Sequence, residues 1–311
     1  MDLHLLGANG VFSAADARRH GLDSHALARL ARAGRCRRLT RGWYAVCDDP
    51  SEPLSPTRRH VQTALALGRQ LIGRAAISHH SLLLVRDLPT WAADLATVHL
   101  TSTRPPTSTD CGVASRRAGL VVHRPVRGLT TSRDLPGEPV RPAAVPLAHA
   151  IVQAGLLAGP EAALVPADAA LARRLVTPEQ LAGAVVALTD RRGIGPVRAA
   201  IGSADGRHES PGETRTAYLL RALGHQIDPQ VEIAVEGRRF RADFRIRGTR
   251  VLVEFDGAVK YADARALFEE KQREDALRRA GWVVVRLVWA DLGRPELVRR
   301  RVLEALRLAA A

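Results

Sequence analysis

Residues 251–260, VLVEFDGAVK, begin as a buried strand and end in acids. Val251, Leu252 and Val253 are apolar, Glu254 and Asp256 follow, and then come Gly257 and Lys260. The preceding stretch RRFRADFRI (238–246) alternates and carries Asp243. If Gly248-Thr249 is a two-residue hairpin loop with glycine first, as a type II′ turn allows, Arg247 pairs Arg250 and Asp243 falls opposite Glu254. Period-two alternation puts Phe240, Ala242, Phe244 and Ile246 on one face and Asp243 on the other. It also separates Val251, Val253 and Phe255 from Glu254 and Asp256. Three carboxylates then converge on one side of the hairpin. Opposed side chains have Cβ atoms about 5 Å apart, and like charges there destabilise a sheet. A divalent cation compensates, and Mg²⁺ (or Mn²⁺) suits one or two carboxylates completed by phosphate oxygens and water.

Glu213 is a further candidate. It shares a helix face with Ala217, Leu220 and Gly224, and it also sits at N3 after Ser210, where a capping box alone explains it. The two readings do not exclude each other. Of the 46 basic residues only two are lysines, Lys260 and Lys271, and both follow the acidic strand. A compact ammonium that arginine does not replace fits that site. Lys271 and Asp275 lie one helical turn apart on one face. The competing reading is a surface hairpin neutralised by Arg241, Arg245 and Arg250. It leaves unexplained why both acids, Gly257 and the lysines lie together.

The elements that must position these residues form a compact α/β unit over residues 207–311. A helix starts at Ser210-Pro211 and closes at Gly224. Two strands follow, then a helix over about Ala262–Ala280, the strand WVVVRLVW and a final helix over Pro295–Leu308. Apolar residues on both faces of WVVVRLVW, apart from Arg286, predict a central strand reached by a crossover helix.

Upstream, residues 1–50 read as helix, turn, helix, wing. Ser13 caps a helix over Ala14–His20 with Asp16 in the capping-box position. Gly21 ends it, a second helix runs from about Ser24 to Ala33, and Gly34 ends that one. RRLTRGWYAV forms the wing, bent at Gly42. Between Arg18 and Arg41 lie eight arginines and one acid, Asp23. A helix-turn-helix with a basic wing is a DNA-docking geometry, and Arg29, Arg32, Arg37, Arg38 and Arg41 are its candidate contacts. A helical module that packs on a partner protein is the alternative.

Residues 51–206 form a mixed α+β middle region after a linker-like stretch at 51–60. Helices are expected at Arg58–Ile72, at SHHSLLLVRDLP and in three segments after residue 143, with strands at ATVHLTS and GLVVHRPV. His79 and His80 are adjacent and point different ways on a helix. With no acid at ligand spacing, they read as satisfied structural residues.

Composition sets the outer limits. An apolar fraction of 46% with 25% charged residues is that of a globular protein. No apolar run reaches the roughly 20 residues of a membrane helix, and the N-terminus lacks signal-peptide character. Cys36, Cys47 and Cys111 are too few and too scattered for a disulfide framework or a four-cysteine zinc site. These features predict a soluble cytoplasmic protein. Net charge is +14, which favours nucleic acid over a membrane surface, since no basic amphipathic helix stands out.

ESPGETR, RADF, VEFDG and KQREDALRRAGWVVVRLVWADL together resemble the PD-(D/E)XK nuclease fold, in the compact branch similar to the very-short-patch-repair endonuclease. The resemblance covers about a third of the chain. It implies that Asp243 matches the aspartate of the PD element and Glu254 the first acid of (D/E)XK. The lysine position holds Asp256 here, so Lys260 or Lys271 would supply the cation. The repair enzyme's structural zinc has no ligand set. The first segment, with RGWYAV, resembles the winged helix of AbiEi-type antitoxins, which implies DNA and a toxin or other protein as partners. The expected fold class is therefore α/β: a winged helix-turn-helix, a mixed α+β middle region and a restriction-endonuclease-like α/β domain. The expected function is metal-dependent hydrolysis of DNA phosphodiester bonds. The alternatives are an antitoxin-like regulator whose nuclease fold is inactive, and a protein–protein adaptor.

Overall fold

The computed structural model describes residues 2–49, 51, 53–104, 113–126, 128–132, 142–257 and 264–310, without the side chains of 264–270. The chain divides into two compact units, Met1–Pro166 with Val176–Gly202, and Ala167–Leu175 with Ser203–Ala311.

The first unit opens with two 3-10 turns and then β1 (Val11–Ser13), α1 (Ala14–Arg19), α2 (Ser24–Arg32), β2 (Cys36–Thr40) and β3 (Trp43–Val46). Ser13 and Asp16 close the expected capping box, and the Asp23 side chain caps α2. The strands pair in the order β1-β3-β2, and Gly42, at φ +75°, makes the bend of the wing. Phe12, Ala17, Leu27 and Cys36 form the core of this winged helix.

The same unit continues with α3 (Pro56–Gln70), β4 (Ala75–Ile77), α4 (His79–Val85), β5 (Val98–Ser102), β6 (Val113–Arg117) and β7 (Leu120–His123). The helices α5 (Leu147–Ala158), α6 (Pro160–Ala172), α7 (Pro178–Ala187) and α8 (Ile194–Ile201) follow, and α6 runs on into the second unit. A second sheet has the order β4-β5-β7-β6, in which β5 and β7 are parallel. The short β4 and the polar, exposed β6 were not expected. Three apolar residues and a run of VASRR give no usable alternation.

The second unit comprises α9 (Pro211–Ala222), β8 (Ile227–Val235), β9 (Arg238–Ile246), β10 (Val251–Phe255), α10 (Ala264–Arg279), β11 (Val283–Leu287), α11 (Trp289–Leu292) and α12 (Pro295–Ala310). Its sheet has the order β11-β10-β9-β8. On one face Ala217 and Leu220 of α9 and Val298, Val302 and Ala305 of α12 pack on Phe244, Val251, Val253, Val285 and Leu287. On the other, Ala276 and Leu277 of α10 cover Ala242 and Leu252.

Two expectations are corrected. β11 lies at the sheet edge, not its centre; it is apolar on both faces because α10 and α12 cover both. β8 was not among the expected strands; it contains Pro229, which an edge strand tolerates.

One close approach ties α9 to the sheet. A Cβ on Gly212 would lie 1.9 Å from Phe255 Cε1, and the Phe255 ring also meets the Trp289 ring edge-on at 4.9 Å. Only glycine lets the first turn of α9 sit against the end of β10. Gly212→Ala is expected to destabilise the protein by about 1–3 kcal/mol through overpacking, read as a lower urea midpoint.

Candidate functional site

The expected register is present. Leu252 pairs Arg245 and Val253 pairs Phe244, so the next opposed pair in sequence is Asp243 and Glu254. The turn differs by one residue. Thr249 N–H donates to Ile246 O, which centres the turn on Arg247-Gly248, with Gly248 at φ +76°.

The expected single face for Phe240, Ala242, Phe244 and Ile246 is not found. Phe244 and Ile246 join the α9–α12 core, whereas Phe240 and Ala242 join the α10 core. The switch falls at Asp243. On β8, Gln230 lies between the pairs Pro229–Phe244 and Val231–Ala242, and its backbone is left-handed at φ +52°. A non-glycine residue in that conformation breaks the pleat, and Asp243 sits at the break.

Each carboxylate has its own environment. Asp243 Oδ2 accepts the Phe255 N–H at 2.7 Å. Burial pushes the Asp243 carboxyl up to about 6; Glu213 and Glu254 push the same way, and the Phe255 N–H and Arg273 oppose them. Glu213 is buried and makes a capping cluster: its Oε1 accepts from the Ser210 hydroxyl, and its Oε2 accepts from Glu209 N–H and from Gln230 Nε2, each at 2.9 Å. The capping reading and the neighbourhood of Asp243 therefore coexist. Glu254 is bound by Arg273 of α10, which also donates to Arg241 O at 3.0 Å. Arg286, its cross-strand partner on β11, lies 3.9 Å from Oε2. Asp256 N–H donates to Leu287 O, and its Oδ1 is buried without a hydrogen-bond partner among the described residues.

The arginines expected to neutralise the hairpin are engaged elsewhere. Arg241 pairs with Glu209, Arg245 with Asp228, and Arg250 donates to Ala280 O. Sequence reading missed Arg273 and Gln230, which reach the acids from another helix and from the edge strand. Their only sequence signal is position, three residues before the buried Ala276 of α10 and next to Pro229. Lys271 is exposed on α10. Lys260 lies outside the described residues, as does Cys111. Among the described residues no acidic trio is close enough to hold a metal ion as it stands.

In the winged helix, Arg29 and Arg32 are exposed one turn apart on α2, and Arg38 and Arg41 are exposed on the wing. Arg37 differs. It pairs Ala45 where Arg38 pairs Tyr44, so it faces the other way, and it lines a cavity with Cys47, Asp48 and Arg58.

Residues 2–46 match the family described as transcriptional regulator, AbiEi antitoxin. Two relatives come from Mycobacterium tuberculosis: uncharacterized protein MT2308 of strain CDC 1551 / Oshkosh and uncharacterized protein Rv2248 of strain ATCC 25618 / H37Rv. Each is 30% identical over 189 residues, which is 60% of this chain and 67% of the relative. The chain belongs to the same family as these two proteins. Among solved structures, the catalytic domain of homing endonuclease I-Bth0305I matches 32% of this chain and 97% of its own length, at 16% identity and a TM-score of 0.27. That likeness is too slight to carry an argument. No helix among the described residues is long and apolar enough to cross a membrane.

The raised Asp243 carboxyl has a direct consequence for stability. Its folded value of about 6 lies above the ordinary 3.8. Its contribution is therefore full below about pH 4 and is lost as pH rises through about 6. Asp243→Asn keeps an acceptor for Phe255. The variant should match wild type near pH 4 and exceed it by about 1–2 kcal/mol near pH 8, a figure already reduced for solvent screening. Urea unfolding at the two pH values measures it.

Proposed function

We propose that the protein binds DNA and that its second unit hydrolyses DNA phosphodiester bonds with a divalent metal, Mg²⁺ or Mn²⁺. The observation that carries this reading is Asp243, a carboxyl at a break in the sheet, coupled to Glu213 and Glu254 and pushed up to about 6. A cluster of this kind costs stability at neutral pH unless a cation joins it.

The donors are of the kind such an ion takes, and the carboxylates, which do not meet at one point as the site stands, would have to draw together around it. Asp256 Oδ1 is a buried oxygen with no partner among the described residues, and Asp243 and Glu254 oppose each other across two strands. Asp243, Glu254 and Asp256 would hold the metal, with Glu213 as a further donor, directly or through water. When bound, a divalent ion polarises a phosphoryl oxygen and lowers the pKa of an attacking water.

The chain's own groups would do the rest. Asp243 would give up its proton before it could act as a ligand. Glu254 would share its carboxylate between Arg273 and the site, which makes Arg273 a positioning residue. Lys260 or Lys271 would orient the attacking water or stabilise charge on the phosphate. Arg29, Arg32, Arg38 and Arg41 would contact DNA phosphates, so affinity should fall steeply with salt. Arg37 would belong to this set only if it turned from its present cavity.

Plasmid cleavage with Mg²⁺ tests the reading. Wild type should cut, and Asp243→Asn and Glu254→Gln should each be slower by roughly a hundredfold or more, since even outer-shell changes at metal sites cost 10- to 100-fold. Equal rates in all three, or no cutting by any, counts against it.

A second reading is favoured by the AbiEi match at residues 2–46 and by the hold of Arg273 on Glu254. In it the protein is an antitoxin-like regulator with a toxin or other protein partner and an inactive nuclease-like unit. Calorimetry separates the two. Mg²⁺ or Mn²⁺ binding that disappears in Asp243→Asn selects the nuclease, and salt-dependent DNA binding without metal binding selects the regulator.

A further inference from the structure

Five histidines gather in the first unit: His60 of α3, His79 and His80 of α4, His99 of β5 and His123 of β7. Neighbouring rings lie 3.8 to 5.4 Å apart between centroids. Two of them are explained by hydrogen bonding. His80 Nε2 donates to Asp94 O at 3.0 Å. His60 Nδ1 donates to Leu95 O, so its Nε2 accepts from the Ser81 hydroxyl, whose oxygen in turn accepts His99 N–H. The sequence expectation of satisfied structural histidines describes His80 well.

His79, His99 and His123 are different. One ring nitrogen from each lies within 4.8 Å of the others. Among the described residues, the rings of His99 and His123 hydrogen-bond to each other, Nδ1 to Nε2 at 2.7 Å. Their shared face follows from the parallel register, in which His99 pairs Val121 and Thr101 pairs His123. His79 reaches the same place from the sheet-facing start of α4, and its backbone is left-handed at φ +53°. That conformation is unfavourable for a side chain of this size, so the surrounding structure holds it there.

The Ser78 hydroxyl supports His79 in a specific way. It donates to His99 O at 3.4 Å and lies 2.9 Å from His79 Nδ1. With its proton directed to the carbonyl, its oxygen accepts from His79 Nδ1–H. That tautomer leaves Nε2 with a lone pair. A ring nitrogen anchored by a neutral acceptor while the other is a ligand is the usual outer-shell arrangement of metal-binding histidines. Ser78 makes no side-chain capping bond to α4, which leaves its hydroxyl to the His99 carbonyl and His79.

His79 and His123 open onto a cavity of about 320 Å³ shared with Gln153, Arg124, Arg191 and Arg192. Gln153 is 4% exposed, its Nε2 donates to Thr101 Oγ1, and its Oε1 has no partner among the described residues. Burial keeps all three imidazoles neutral, with His79 well below its ordinary value, His99 down to about 3 and His123 down to about 4. Neutral imidazole is the form that binds metal.

We infer that His79, His99 and His123 form a three-histidine site for a transition-metal dication, Zn²⁺ by ligand chemistry, whose remaining position faces the arginine-lined cavity and takes an anion. Three nitrogen donors with no carboxylate suit Zn²⁺ and disfavour Mg²⁺ or Ca²⁺. The arginines would repel a bare cation but welcome hydroxide, phosphate or carboxylate on it. This site is separate from the carboxylates of the second unit and stands whether or not that unit cuts DNA.

The test uses full-length protein stripped with a chelator. In excess Mg²⁺, which fills the carboxylates but not a histidine site, wild type should take up Zn²⁺ at one equivalent per chain, and Co²⁺ should give the visible absorption of a low-coordinate nitrogen site. Zn²⁺ should raise the melting temperature. His123→Gln, at the partly buried position, and His79→Gln should lose the Co²⁺ spectrum, and Ser78→Ala should weaken binding on the order of tenfold. The nitrogen-site Co²⁺ absorption should persist with excess Mg²⁺ present to occupy the carboxylates, which excludes the carboxylate site as its source. If a histidine variant does not fold, nitrogen hyperfine structure in the Cu²⁺ spectrum of wild type decides between histidine and oxygen ligands. Absence of the Co²⁺ band in wild type, oxygen-only ligation, or unchanged affinity in both histidine variants would overturn the proposal.

Discussion

Holding carboxylates together away from water is unfavourable, and the second unit is organised around that cost. Burial raises the affinity of Asp243 for a proton, and the neighbouring Glu213 and Glu254 add to it. Their remaining lone pairs are met by groups drawn from every nearby element: the Phe255 amide of β10, Ser210 and Glu209 before α9, Gln230 of β8 and Arg273 of α10. Each donor comes from backbone or side chains fixed by packing. The site is therefore only as well defined as the core beneath it, where Phe255 bears on Gly212 and α10 on Leu252.

The first unit solves a related problem with the opposite ionic outcome. Its histidines are too buried to be charged, and neutral rings can stack and exchange single hydrogen bonds without repulsion. Both units thus concentrate titratable groups where secondary structure changes direction: a strand break at Asp243 and a left-handed residue at the start of α4. In each case the backbone irregularity aims a side chain that regular geometry would send elsewhere.

Much of this was legible from residue types. Ser13 and Asp16, Asp23, Gly34 and Gly42 set the winged helix through local capping and turn chemistry. The Asp243–Glu254 register followed from a glycine and a count along two alternating strands, and it survived a one-residue error in the turn because Thr249 and Arg250, which lie outside the ladder between the turn and Val251, restore the count. Edge strands were harder. β8 was not anticipated, and the double covering of β11 imitated a central strand. Partners that arrive from distant sequence, such as Arg273 to Glu254 or His79 to His123, had no local signature.

The amino-acid order by itself determined the helices with caps, the paired strands that carry the acids, the basic winged helix and the net positive charge, because each depends on neighbours within a few residues. Only the tertiary structure decided which arginine holds Glu254, where the sheet breaks at Asp243, which way Arg37 turns, and that three histidines from one helix and two strands share one point. Those outcomes depend on how helices pack across sheets, and burial, which raises Asp243 and lowers the clustered histidines, exists only once that packing is complete.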